Sequence, residues 1–239
     1  MELGLFTQPV HRAEKPWATA LAEDRESVLL AEKLGFSEVW IGEHFSTKAE
    51  QIPSPLMFLA SLIEQTSTIR FATGVINLPY HHPVIVAAET AQFDQMSGGR
   101  LILGFGPGGL MSDAELFGME DMPERYRVAM ESIDIILALW NAEAPLRFDG
   151  EHFPMTLERR VWLSHGVGRM AETFQKPHPP VALAMVGPGG QTAETIAERD
   201  FIPLCLLYTS DSADDSPCVD LGGRRIIKKK EGGGGGGGG

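Results

Sequence analysis

From Met1 to about Leu204 the chain alternates short apolar runs with longer stretches in which apolar positions recur every three or four residues. ELGLF at 2–6 reads as a strand, and Leu21, Val28, Ala31 and Leu34 then keep helical spacing until Gly35 offers a left-handed stop. SEVWIG at 37–42 is a second strand. It leads through a loop to SPLMFLASLIEQT at 54–66, a helix with Ser54 as N-cap and Pro55 at its first position. The third strand, IRFATGVI at 69–76, precedes a helix that Pro83 starts and the SGG after Met96 ends. RLILGFG at 100–106 is the fourth strand, followed by a longer helix at 123–140 with Tyr126, Met130, Ile133 and Leu137 on one face. A polar, Pro-rich insertion then runs from about Asn141 to Pro180. VALAMV at 181–186, the helix QTAETIAER at 191–199 and FIPL at 201–204 resume the alternation.

Strands that alternate with helices at about 30 residues per unit predict a parallel sheet covered by crossover helices. An open doubly wound sheet and a closed eight-stranded barrel share this local pattern, and periodicity does not separate them. Both put function at the C-terminal ends of the strands. The exits therefore deserve the closest reading.

Length and composition narrow the partners. A chain of 239 residues that is 43% hydrophobic can bury a sizeable core, and its net charge of −12 disfavours a phosphate-backbone partner. Small molecules are expected instead. No apolar run approaches the roughly 18 residues of a membrane span, and the first residues show no basic region followed by an apolar one. A cytoplasmic protein is the expectation. Residues 205–239 form a separate compositional block with no sustained period, ending in a run of glycines. They read as a non-native disordered tail, similar to a sequencing adapter translated in frame, beside a domain at 1–204. Both cysteines, Cys205 and Cys218, fall in that block, so their number indicates neither disulfide nor metal site.

Three strand exits carry candidate chemistry. Glu43 and His44 follow the second strand; an imidazole there can exchange protons near neutral pH, while Glu43 is expected to orient or neutralise a neighbour. Gly104, Gly106 and Gly109 match a dinucleotide-binding spacing with Glu124 some way downstream, but Gly118 and Pro123 intervene before any long helix. What remains is a glycine-rich exit that lets backbone approach a ligand closely. GPGG at 187–190, followed by Gln191 and Thr192 at a helix start, is either an anion-binding arrangement of free N–H groups or an ordinary turn. His81 and His82, being adjacent, point apart and suit a helix start better than a metal site, and no metal is expected.

Together GFSEVWIGEHF, ATGVINLPYHHPV, FDQMSGGRLILGFGPGG and the segment around VGPGGQTAE resemble the bacterial luciferase-like family of flavin-dependent monooxygenases, in family order and over residues 1 to about 204. The opening TQPVHRAEKPW is similar to members described as limonene monooxygenase-like, which assigns no substrate. The resemblance implies a TIM (β/α)8 barrel of class α/β that binds reduced FMN at its C-terminal face, activates O2 and passes one oxygen atom to a small organic substrate. On it, His44 matches the catalytic histidine. Gly74 and Val75 match a third-strand exit packed against the flavin, often through an unusual peptide bond; Gly106 and Gly108 match the fourth-strand exit, and Gly187, Gly189 and Thr192 the phosphate loop. Asp94 and Arg100 are expected to be structural. Pro107 stands where some relatives carry a basic residue, and GPGG where others carry a serine pair. The resemblance also implies a separate flavin reductase and a homodimer. A deazaflavin-dependent reductase or dehydrogenase on the same barrel, or a non-catalytic flavin-binding protein, is the alternative. With the insertion set aside, the chain accommodates about five to six βα units of the eight that a closed barrel needs. The expectation is therefore an incomplete barrel, and an inactive chain as it stands.

Overall fold

The computed structural model describes residues 3–185 and 190–205, together with the backbone of 224–228. In chain order the elements are β1 (Leu3–Thr7), α1 (Trp17–Lys33), β2 (Glu38–Ile41), α2 (Pro55–Ala60), β3 (Arg70–Thr73), β4 (Ile76–Asn77) and α3 (Pro83–Ser97). They continue with β5 (Leu101–Gly106), α4 (Met111–Leu116), α5 (Met122–Leu139), β6 (Leu146–Phe148), β7 (Met155–Leu157), β8 (Val181–Met185), α6 (Gly190–Glu198), β9 (Ile202–Cys205) and β10 (Arg224–Lys228).

One sheet organises the molecule in the order β10-β1-β2-β3-β5-β8-β9, with β4 beside β5. Neighbours from β1 through β9 pair in parallel, and β10 joins β1 antiparallel. Each strand divides its side chains between two cores because successive Cβ atoms point to opposite faces. Leu5, Val39, Ile41, Phe71, Leu101, Leu103, Val181 and Leu183 face outward into the layer that holds α1, α3 and α5. Phe6, Trp40, Ala72, Ile102 and Ala182 face inward and pack with Val75 and Leu204, and every residue of that inner cluster comes from the strands or the β3–β4 junction. A doubly wound sheet needs helices on both faces. Here the inner face is filled by the sheet itself, which is how a barrel packs. The two architectures left open by periodicity are thereby separated in favour of an incomplete (β/α)8 barrel.

Local chemistry explains where elements begin and end. Ser54 Oγ accepts the Met57 N–H and Asp121 caps α5 by accepting from Glu124 N–H, each meeting one of the first amides that a helix leaves unpaired. Gly35 and Gly98 stop α1 and α3 at φ +83° and +64°, a region that side chains disfavour. Two expectations change. The third strand is broken, because the Gly74–Val75 peptide bond is cis and divides β3 from β4. The helix from Ser54 ends at Ala60 and gives way to a short 3-10 turn at Ile63–Gln65.

On α5 the deeply buried residues are Arg125, Val128, Ala129, Ser132, Ile133, Ile135, Ile136 and Leu139, so Ile133 of the expected face is in the core whereas Tyr126, Met130 and Leu137 sit at its margin. Trp140 Nε1 donates to the Ala87 carbonyl at 3.0 Å and ties the end of α5 to α3. The insertion folds as a β6–β7 hairpin with trailing loops, and Phe148, Phe153 and Met155 pack against the outer core. Asp94 and Arg100 hold the frame: Asp94 accepts the Gln175 N–H and side-chain amide, both at 2.8 Å. Arg100 donates to the Ile63 carbonyl and the Thr66 hydroxyl.

Candidate functional site

The exits of β2, β4, β5 and β8 open into a cleft of about 1210 Å³ that also meets α5, the start of α6 and the hairpin loop. His44, Gly74, Val75, Gly106, Gly108 and Thr192 all line it, although they span most of the described chain. Gly187 and Gly189 lie outside the described residues.

His44 is the third residue past β2 and has a carboxylate at each ring nitrogen. Nδ1 lies 3.3 Å from Asp113 Oδ2, and Nε2 lies 2.9 Å from Glu50 Oε2. Burial pushes the imidazole towards its neutral form, but Glu50 and then Asp113 outweigh it, and His44 is held above the usual imidazole range. Asp113, on α4, is 1% exposed. It accepts from the Phe45 and Ser46 amides and from the Ser46 hydroxyl. Burial alone would raise its carboxyl, but the Ser46 hydroxyl and these amides hold it below the ordinary value.

Glu43 has the orienting role that its position suggests. Its Oε2 accepts the Asn77 N–H at 2.8 Å, and both oxygens lie within 3.1 Å of His81 Nε2. The two adjacent histidines therefore do different work: His81 pairs with Glu43, while the His82 ring nitrogen accepts from Val84 N–H at the start of α3. Among the described residues no group of three His, Cys, Asp or Glu side chains is placed to hold a metal ion.

The glycines at the exits make room. A Cβ on Gly106 would stand 2.7 Å from Val75 Cγ2, and one on Gly108, at φ +83°, would stand 2.6 Å from the Tyr80 hydroxyl. The cis bond at Gly74–Val75 is the unusual peptide bond that the resemblance implied at this exit. The dinucleotide reading does not apply, since α4 has only six residues and Glu124 pairs with Arg127 in the first turn of α5. Tyr80, whose ring stacks on Phe117 at 4.7 Å, is raised above its ordinary value by burial.

Several residues in the cleft wall or buried behind it carry no sequence signal. Asp113 sits in a short stretch with neither motif nor period, and Glu50 lies in a polar loop. His152 belongs to the insertion, and it reaches the cleft because Glu131 on α5 accepts the His152 and Phe153 amides at 3.1 and 2.8 Å. Only the knowledge that β2, α4, α5 and the hairpin converge would have picked these residues out.

The chain has counterparts among known proteins. A family model described as luciferase-like monooxygenase matches residues 1–199. Limonene 1,2-monooxygenase of Rhodococcus erythropolis is 39% identical over 143 residues, which are 60% of this chain and 37% of that protein. 4-Hydroxyprotoasukamycin monooxygenase of Streptomyces nodosus subsp. asukaensis is 38% identical over 146 residues, 61% of this chain and 39% of its own length. The chain thus spans under two fifths of either relative. Among solved structures, the oxygenating constituent of 3,6-diketocamphane monooxygenase from the CAM plasmid of Pseudomonas putida, a type II Baeyer-Villiger monooxygenase in complex with FMN, superposes with a TM-score of 0.77. It is 24% identical, over 85% of this chain and 56% of that one, a likeness that shows the fold.

Proposed function

The chain belongs to the luciferase-like monooxygenase family, and on that premise we propose that its cleft holds reduced FMN and serves the transfer of one oxygen atom from O2 to a small, uncharged organic substrate. The observation that carries this reading is the convergence of His44, the Gly74–Val75 backbone, Gly106, Gly108 and Thr192 on one cleft. The residues fit a flavin in kind. Gly106 and Gly108 line the cleft with bare backbone, which suits a flat ring lying close to it. Thr192, at the start of α6, stands where free helix amides suit the phosphate.

Reduced FMN, when bound, supplies the electrons that activate O2. The chain's own residues then have three tasks. Val75, Leu110, Met130 and Leu183 line the cleft with apolar surface that keeps water from the reacting atoms. Gly106 and Gly108, with the Gly74–Val75 backbone, would form the wall against which the ring lies. His44 manages protons: one oxygen atom goes to the substrate and the other leaves as water, so protons must be delivered, and a charged imidazole beside the cleft can deliver one.

Four carboxylates in the lining, Glu43, Glu50, Glu131 and Glu151, disfavour an anionic substrate. A separate flavin reductase would deliver the cofactor, a division of labour like that implied for the relative called an oxygenating constituent. Homodimerisation and a cytoplasmic location complete the reading. No helix among the described residues is long and apolar enough to cross a membrane.

The experiment is a titration with FMN, oxidised and reduced, followed by flavin fluorescence, and then incorporation of labelled oxygen from O2 into a panel of neutral terpenoids and cyclic ketones. FMN binding that Gly106→Val abolishes is the expected result for this chain, and label in the product is expected where the barrel is complete. Hydride transfer to a deazaflavin without uptake of O2 would select the reductase alternative instead.

A further inference from the structure

His44 has a carboxylate oxygen within 3.3 Å of each ring nitrogen, and the two carboxylates are held very differently. An imidazole in that position is best matched with a hydrogen on both nitrogens, which is the imidazolium. Asp113 is locked by the Phe45 and Ser46 amides and the Ser46 hydroxyl. Glu50 has a side chain 24% exposed, and its Oε2, though buried, receives no hydrogen bond from the described residues; it faces Nε2 as an ion pair, off the line of the N–H.

The backbone that carries Glu50 is nevertheless pinned on both sides. His11 N–H donates to the Ala49 carbonyl at 2.7 Å, Trp17 Nε1 to the Gln51 carbonyl at 2.7 Å, and His44 N–H to the Ile52 carbonyl at 3.3 Å. The carboxylate is thus delivered to Nε2 by anchored backbone, and the charge of His44 holds it there. Both Glu50 and His44 line the cleft, so the ion pair stands in its wall.

We propose that Glu50 is a positioning residue of this site: with Asp113 it brackets the His44 ring between two carboxylates in the cleft wall and so holds the ring and its proton in place. The proposal rests on the reading of His44 as the proton-handling group. The charged groups that bear on the ring are Glu50 from the loop after β2 and Asp113 from α4, with Glu43 adjacent in the chain but paired to Asn77 and His81. Asp113 sets the orientation of the ring through Nδ1. Glu50 adds the second negative charge without a competing hydrogen bond.

The test is nitrogen-detected NMR of the histidine rings in the full 239-residue chain, with His44 identified by its loss in His44→Gln. Glu50→Gln should lower the His44 titration midpoint. Glu50→Asp, which keeps the charge at shorter reach, should place the midpoint between the two. Thermal unfolding of the same variants shows that each is folded, and Glu50→Asp alone suffices should the glutamine variant fail to fold. A His44 midpoint that stays put in both variants, or that moves only in Asp113→Asn, overturns the proposal. An FMN titration of the unaltered chain separates the two ideas: failure to bind FMN sinks the flavin reading, while the coupling of Glu50 to His44 is judged by the NMR shifts alone.

Discussion

Glu43 and Asn77 lock each other reciprocally: the Glu43 carboxylate accepts the Asn77 N–H at 2.8 Å, and the Asn77 side-chain amide donates to the Glu43 carbonyl at 3.0 Å. The pair ties the exit of β2 to β4 across 34 positions of sequence. It thereby fixes the segment that carries Gly74 and Val75 into the cleft. Both residues are almost closed to solvent, at 3% and 5% exposure.

Glu43→Ala is therefore expected to cost about 2–4 kcal/mol, because a buried amide loses its acceptor and His81 its counter-charge. Urea denaturation measures this directly. Glu43→Gln, which keeps one oxygen for Asn77, should cost less. An alanine variant as stable as the parent would mean that water takes over both contacts.

Asp113→Ala should also destabilise, by about 2–4 kcal/mol, since two backbone amides and a hydroxyl lose one common acceptor. The loss should be local before it is global. Hydrogen exchange at the Phe45 and Ser46 amides is expected to speed up more than exchange in β5, and equal acceleration in both would refute the local picture.

Stability should depend on pH in two windows. For His81, burial favours the neutral ring but Glu43 outweighs it, so its folded value lies above the ordinary 6.5, as that of His44 does. A raised value means that the folded state binds the proton more tightly. The contribution is complete below 6.5 and disappears as pH rises through the folded values. For Asp113 the folded value lies below the ordinary 3.8, so its contribution is complete above 3.8 and is lost as pH falls through the lowered value. Thermal midpoints measured from pH 3 to 9 should fall at both ends, and His81→Gln should flatten the alkaline limb. A limb of undiminished slope in that variant would exclude His81 as its source.

Two glycines of one strand should respond differently to alanine. A Cβ on Gly104 would stand 2.0 Å from the Thr73 carbonyl oxygen, so β3 and β5 must separate, and about 3 kcal/mol or more of stability should be lost. On Gly106 the first obstacle is the Val75 side chain at 2.7 Å, which can shift into the cleft. Gly106→Ala should keep most of its stability and lose affinity for FMN. Calorimetry paired with flavin fluorescence distinguishes the two, and equal stability losses would contradict the assignment of Gly106 to the site.

Sequence alone determined the order of strands and helices, the caps at Ser54, Gly35 and Gly98, and the exits at which His44, Gly74 and Gly106 stand, because periodicity and capping report burial and hydrogen bonding within a few residues of each position. The tertiary structure decided which face of the sheet lacks helices, where the third strand breaks, that Glu50 and the insertion's His152 reach the same cleft, and that Asp113 backs His44 there. Those outcomes depend on strand register and on the curvature that Phe6, Trp40, Ala72 and Ile102 impose by packing side by side on the inner face. His44 and Asp113 are 69 positions apart. Nothing local to either one encodes a meeting that only the curl of the sheet between them brings about.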